Sequence, residues 1–492
     1  MRRTLRRSCA ACAKSKHSCD LRTPRCSRCI KRKIQCNYAN EPWTPPARPA
    51  QELIRTSYTF GSLDPFDSYP QTRLPREHIQ RLIHSFHQKI AFQYYPLDLS
   101  PNSNPFLVSW WPLALGDPAL FHVSLQTACL DDELLAQKGF QASEILMADS
   151  VALLRRKVEN VSLAVQDGTM NSVITLAAIE FGKGNIKTSQ MHVDGVKRLV
   201  SMRGGISSVR QTSPLTARMV PWVSMLVMGH PQFETQDDLG FGHGIPPISE
   251  WQLEFDTAQD DIPELTSAEV DYEVRNVFFR LRNIFKRADQ VPFPTTQLHD
   301  LTCFVVHRLL LTIPSAGDSH LSPITECVRY GIILYMFIIH GPTYYSHAVI
   351  LNTMIIRFMQ YLKYLDPTSG KDSFLDVWLV AVGMVSSTGT AHHQWFVERA
   401  KVVAASVPLG DWDQALIRIK RILWLETPQG EDIFRPHWDA IFGTNSHPGS
   451  PDTNAYGSPS ITGTVLLRNT VSPARLLPGR LESAIQMEGN QT

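Results

Sequence analysis

Six cysteines near the start of the chain are spaced Cys9-x2-Cys12-x6-Cys19-x6-Cys26-x2-Cys29-x6-Cys36. One unit, C-x2-C-x6-C, is written twice with an offset of seventeen residues. Thiolates are soft ligands that suit zinc. A C-x2-C pair lets two of them chelate one ion from the start of a helix, and a third cysteine about two turns later closes the site. Each unit therefore offers three sulfurs, whereas a structural zinc takes four. Two ions need eight coordination positions, which six thiolates supply only if two of them bridge. The symmetric solution shares the first cysteine of each unit. One ion then takes Cys9, Cys12, Cys19 and Cys26, and the other takes Cys26, Cys29, Cys36 and Cys9.

Two other readings of the cysteine count compete. A disulfide framework does not suit an intracellular chain, and a single four-cysteine site with two thiols to spare leaves the repeated spacing unexplained. The segment has few apolar residues of its own, chiefly Leu21, Ile30 and Ile34, so metal is expected to be a condition of its folding. Its zinc reads as structural, because nothing nearby offers an open coordination position or a general base. Cys129, Cys303 and Cys327 are scattered singly in apolar helical patterns and read as buried small hydrophobes.

Charge is as unevenly distributed as cysteine. Residues 1–40 hold twelve Lys and Arg against one acid, Asp20, which leaves the remaining chain at −9 under a total of +2. With two zinc ions and six thiolates the head keeps about +9. A short basic head on a mildly acidic body points to a polyanion partner for the head alone. Candidate nucleic-acid contacts are Lys14, Lys16 and His17 beside the first cysteines, Arg28, Lys31, Arg32 and Lys33 on the second unit, and Arg6 and Arg7, which with Arg2 and Arg3 form an arm before the cluster. Phosphate contacts of this kind supply much of the affinity and make it salt-dependent. Arg6-Arg7 and Lys31-Arg32-Lys33 are also short runs of the sort that serve nuclear import.

The spacing, the bridging order and Pro24, two residues before the fourth cysteine, resemble the fungal zinc binuclear-cluster DNA-binding domain. The resemblance implies a small Zn2Cys6 fold of two short helices around metal, with a helix end directed into the major groove over CGG-type half-sites. The family's basic run after its second cysteine is here Ala13-Lys14-Ser15-Lys16-His17-Ser18-Cys19. Of the family's basic positions, only the most characteristic base-contacting one is kept, by Lys16.

The elements that must carry this head divide the chain into a head at 1–40, a Pro-rich linker at 41–76, an all-α body at 77–443 and a disordered tail at 444–492. Glu41-Pro42-Trp43-Thr44-Pro45-Pro46 favours extended geometry. The tail is rich in Ser, Pro, Gly and Asn. In the body, Asp117 before Pro118 caps a helix running towards Cys129. Met147, Val151, Leu154 and Val158 recur as one buried stripe; Val193, Val196 and Val200 form another, ended by Gly204-Gly205 in the left-handed manner. Further helices are expected near 215–229, 268–287, 297–312, 322–340, 344–365, 372–388 and 412–425. Glu77 to Phe92 is helical too, but its apolar residues do not sustain three heptads. A homodimer is compatible with the sequence, while the coiled coil that would build one is not visible.

The body resembles the large helical regulatory domain that accompanies such zinc heads in fungal regulators. The resemblance rests on Asn104-Pro105-Phe106 with Trp110-Trp111-Pro112, the run Asp117 to Leu130, His192-x2-Gly195 followed by Arg203-Gly204-Gly205, and Phe434-Arg435-Pro436-His437-Trp438. It implies a module that regulates or binds partners such as the transcription machinery, without defined chemistry.

No phosphate loop, nucleophile elbow or dinucleotide fingerprint occurs. His84 and His87 could share a helix face but lack a third ligand, and His392-His393 cannot face one another. Glu234 to Glu264 mixes nine acids with Phe241, Trp251 and Phe255, a composition found in disordered activation segments and, more plainly, in a solvated loop. The longest apolar run, Gly331–Ile339, is about half a membrane span, and MRRTLRRSCA has no apolar segment behind its positive start. Together these features point to a nuclear, zinc-dependent transcription factor, an activator of RNA polymerase II genes such as a pathway-specific or secondary-metabolite cluster. The alternative is a zinc-dependent interaction scaffold that does not read DNA sequence. An enzyme is not indicated.

Overall fold

In a computed structural model the described residues are 9–19, 26–36, 68–136, 139–253, 265, 270–291, 293–311, 322–341, 348–365 and 374–444. The arm with Arg6 and Arg7, Leu21, Pro24, most of the expected linker and the expected tail lie outside them. The chain divides into two compact units, residues 1–63 and 64–492.

The first unit holds two five-residue helices, α1 (Ala10–Lys14) and α2 (Ser27–Lys31). Helices this short are unstable alone, and here sulfur replaces the usual apolar core: Cys9, Cys12, Cys26, Cys29 and Cys36 pack as one buried cluster. Ile30 and Ile34, expected as the apolar core of this segment, are instead 56% and 44% exposed. The cysteines occupy the inner face, so residues one and five beyond Cys29 point outward.

The second unit is helical, and its described residues contain no strand, only an isolated bridge between Thr235 and Ile245. It opens with α3 (Arg76–Ser85), which runs through a π-helical turn at Phe86–Ile90 into Ala91–Tyr94. Ile79, Leu82, Ile83, Phe86 and Ile90 of this element are buried, so the face that a coiled coil would need is spent inside the body.

The remaining helices sort by pattern into inner and outer layers. Inner helices are apolar on nearly every side: α4 (Pro118–Ala136), then, after the outer α5 (Gln141–Val158), α6 (Asp167–Gly182). Beyond the outer α7 (Ile186–Met202) comes the inner α8 (Pro214–Met228). In the second half, α9 (Tyr272–Ala288) is amphipathic, while α10 (Thr295–Leu311), α11 (Pro323–His340) and, after α12 (Ala348–Leu362), α13 (Phe374–Ser386) are buried over most of their length. The outer α14 (His393–Ser406), α15 (Trp412–Ile422) and α16 (Gly430–Thr444) are the last among the described residues. The apolar run Gly331–Ile339 lies within α11, and no described helix is long and apolar enough to cross a membrane.

Asp117 caps α4 as its position suggests, its Oδ1 accepting from Ala119 N–H at 3.1 Å and Leu120 N–H at 3.4 Å, and the helix continues past Leu130 to Ala136. Val193, Val196 and Val200 are buried, and Gly204 and Gly205 follow with φ of 94° and 92°. The stripe on α5 is corrected. Its buried residues are Ser143, Leu146, Ser150 and Leu154, while Val158 is exposed. Small polar residues sit at the inner positions because α5 packs closely on α4, and the last turn with Val158 reaches past that contact. The helix α6 is buried on nearly every side and shows no one-sided stripe, whereas α14 and α16 bury stripes at Phe396, Ala400 and Val403 and at Phe434, Trp438 and Ile441 that the sequence reading did not single out.

The quoted motifs of the body act as clamps. Asn104 donates to the carbonyls of Tyr95 and Asp98 at 3.2 and 2.7 Å and accepts from Phe106 N–H at 3.0 Å. Arg203 pairs with Asp167 and donates to Val165 O and Ser213 Oγ, each at 3.1 Å, locking α7 to the start of α6. Trp251 also departs from a disordered reading of its acidic segment. Its ring is fully buried, Nε1 donates to Asp238 Oδ1 at 2.9 Å, and the Arg280 guanidinium lies 5.8 Å from the ring centre. The described part of that segment, to Leu253, is a folded loop pinned by this tryptophan; Phe255 lies outside the described residues.

Candidate metal centre

Sequence and geometry meet in the head. Two groups of four sulfurs lie within 4.8 Å of one another: Cys9, Cys12, Cys19 and Cys26, and Cys9, Cys26, Cys29 and Cys36. Cys9 and Cys26 belong to both. A tetrahedral zinc with Zn–S of about 2.3 Å separates its sulfurs by about 3.8 Å. The Sγ–Sγ distances match this: Cys9 to Cys26 is 3.9 Å, Cys9 to Cys29 is 3.7 Å and Cys12 to Cys26 is 3.7 Å. The first of these is the edge that the two tetrahedra share.

Short helices position the sulfurs. Cys26 stands at the N-cap of α2, its Sγ accepting from Cys29 N–H at 3.4 Å. Cys9 stands the same way before α1, accepting from Cys12 N–H at 3.4 Å. The outer cysteines are held by the shared pair's backbone. Cys9 N–H donates to Cys19 Sγ at 3.5 Å and Cys26 N–H to Cys36 Sγ at 3.4 Å. Such N–H···S bonds orient ligands and spread thiolate charge.

The chemistry of the donor set also fits a cation. Burial and the adjacent sulfurs of Cys9 and Cys26 push the Cys12 thiol up to about 12, and burial pushes Cys29 up too. Sulfurs packed this tightly carry negative charge together only around a divalent ion, which binds by displacing their protons.

Around this core the basic residues face outward. Lys14, Lys16 and His17 on the first repeat and Lys31, Arg32 and Lys33 on the second are exposed, and Arg28 is half-buried. His17 is turned back, its ring nitrogen bonded to the carbonyl of Ser15. Arg6 and Arg7 lie outside the described residues.

The remaining histidines and cysteines singled out in the sequence lie in the body. His84 is exposed, whereas His87 is packed edge-on against Trp111 and lowered to about 4, by burial first and by His84 second. Cys129, Cys303 and Cys327 are buried, and burial raises each thiol, Cys129 to about 12. Periodicity could not reveal the pair His299 and His340, whose Nδ1 and Nε2 lie 3.0 Å apart although the residues are 41 positions apart in sequence. Nor could it reveal the ring contact of His393 with His437.

A metal-cored basic head followed by an all-α body defines the class: a zinc-cluster DNA-binding transcription factor. Residues 7–43 match the fungal Zn(2)-Cys(6) binuclear cluster domain, and residues 81–230 match the fungal specific transcription factor domain. The chain thus carries a zinc-cluster domain and, after it, a stretch like a fungal transcription factor domain; the cofactor of its head is zinc, two ions bridged by Cys9 and Cys26. No curated protein and no solved structure matches the chain.

Proposed function

We propose that this chain acts in the nucleus as a sequence-specific regulator of RNA polymerase II genes, with six cysteine ligands holding the head that docks on double-stranded DNA. The observation that carries this reading is the pair of sulfur quartets sharing Cys9 and Cys26, set inside a shell of outward basic residues. Lys14, Lys16, His17, Arg28, Lys31, Arg32 and Lys33 are the contacts within the described shell, and Arg6 and Arg7 of the basic arm are further phosphate contacts in this reading. The zinc is structural: it sets the two helices in place and supplies no reaction. The helical body serves as the regulatory and partner-binding module, without catalysis of its own.

The test uses the full chain, zinc-loaded, and a labelled duplex carrying CGG half-sites. Specific binding should vanish on chelation, return with zinc, and fall steeply as salt rises, since each phosphate contact adds about 0.9 to the slope of log affinity against log salt. Binding that survives chelation contradicts the proposal. Exposed Ile30 and Ile34 favour a second reading, in which part of the head docks on protein. Weak, sequence-independent DNA affinity together with zinc-dependent capture of a protein partner would favour it.

A further inference from the structure

Helix α7 (Ile186–Met202) is fixed to the body along its whole length. Near its start Ser189 Oγ donates to the Ala177 carbonyl at 2.7 Å. Val193, Val196 and Val200 are buried along its middle, and beyond its end Arg203 clamps Asp167 and the Val165 carbonyl. With about 100° of turn per residue, the opposite side carries Lys187, Met191, Asp194, Arg198 and Met202. All five are exposed, Met191 by 71% and Met202 by 55%. The inner valines already supply the apolar face that seats this helix, so the two methionines on its outer face serve no packing within the chain.

The outer stripe is complementary to itself when reversed. The midpoint of Asp194 and Arg198 is position 196 and that of Met191 and Met202 is position 196.5, a difference of about 0.8 Å along a helix. A two-fold axis crossing α7 there lays a second copy of the helix antiparallel on the first. Asp194 then meets Arg198 twice, and Met191 meets Met202 twice. A parallel pair would set Asp194 on Asp194 and Arg198 on Arg198. Asp194 accepts from Gln190 Nε2 at 3.1 Å. Among the described residues no ion pair joins it to Arg198, although the two stand one turn apart.

The ends of the surface match as well. Arg203 ties the end of α7 to Val165, just after the helical turn Val161–Ala164, where Val158 and Val161 are exposed. At the start of α7 Ile186 is exposed, and antiparallel pairing brings one copy's start to the other's end. Methionine and arginine are favoured at protein interfaces, and a helix already pinned in place loses little freedom on association.

We propose that this stripe is the homodimer surface of the chain, two bodies joining by antiparallel contact of α7 with α7. The pair is isologous, so it closes at two copies. It supplies the dimer contact for which the sequence shows no coiled coil. It goes beyond the DNA-binding reading and does not depend on it.

The experiment is sedimentation equilibrium of the full zinc-loaded chain without DNA. Wild type should pass from monomer to dimer below about 100 µM. Asp194→Arg and Arg198→Asp each set like charges together on both sides of the axis, and each should weaken dimerisation about a hundredfold. Mixing these two variants restores both opposite-charge contacts, so the mixture should dimerise as the wild type does. The exchange D194R/R198D should do the same. Both positions are exposed, so helical circular dichroism and thermal unfolding should not change. A wild type that stays monomeric overturns the proposal. Single variants that dimerise like the wild type also overturn it and leave the face to another partner, and so does a mixture that fails to pair. Loss of the dimer in a chain that still binds DNA strikes only this proposal, whereas a chain that dimerises as described but binds no DNA strikes only the functional reading above.

Discussion

Cys9 and Cys26 differ from the other four cysteines of the head in belonging to both sulfur quartets, and the difference can be counted in metal. Cys26→Ser removes a ligand from each site at once and should release both ions. Cys19→Ser leaves the quartet Cys9, Cys26, Cys29 and Cys36 complete and should leave one ion per chain by elemental analysis. Equal retention in the two variants would contradict bridging. This part of the site was legible because metal coordination ties ligand identity to short, fixed spacings. The body's charged centre was not. Asp300 is 4% exposed and receives Arg218 at 2.8 and 3.0 Å and Arg210 at 2.8 Å, from residues 82 and 90 positions away. No local pattern announces such a contact. Asp300→Ala strands two partly buried guanidinium groups, and denaturant unfolding should show a loss of about 3 kcal/mol.

At the scale of elements, helix content could be read from apolar spacing, whereas the inner face of a given helix could not always be. On α5 the inner positions belong to Ser143 and Ser150, residues that a hydrophobicity pattern passes over, because close approach to α4 rewards small volume rather than apolar character. The same physics governs α13. A Cβ on Gly383 would fall 2.2 Å from Phe396 Cδ1 and 2.4 Å from its Cε1, where α14 crosses. In an isolated helix Gly→Ala stabilises by about 1 kcal/mol. Here overpacking should win, and Gly383→Ala should destabilise the body by about 1–3 kcal/mol in denaturant unfolding. A stabilised variant would show that α13 and α14 are not in contact at that point. The π-turn at Phe86–Ile90 was invisible in sequence for a related reason, since the inserted residue is paid for by tertiary burial of Phe86 and Ile90 and leaves no local signature.

For the molecule as a whole, acid should act on the body and chelation on the head. Burial holds His299 and His340 down to about 3 and His307 to about 4. For His299 the nearby Arg218 and Arg210 work in the same direction, and for His340 His299 does so. These rings stay neutral in the folded body, whereas the unfolded chain protonates near 6.5. Their contribution to stability is therefore full well above pH 6.5 and is lost as pH falls through 6.5 towards 4, at up to about 1.4 kcal/mol per pH unit for each ring. Unfolding measured at pH 7 and pH 5 should show this loss, with much greater proton uptake on unfolding at the lower pH. Chelation should leave the body's helical circular dichroism almost unchanged, because the sulfur cluster and the apolar core belong to different compact units. The most direct test of the zinc-organised DNA-binding head is a fluorescence titration of a selected duplex with the full chain, stripped of metal and then given zinc stepwise. Affinity should be absent at the start and fully restored at two zinc ions per chain. Full affinity before zinc is added, or none after both ions are bound, would contradict the account.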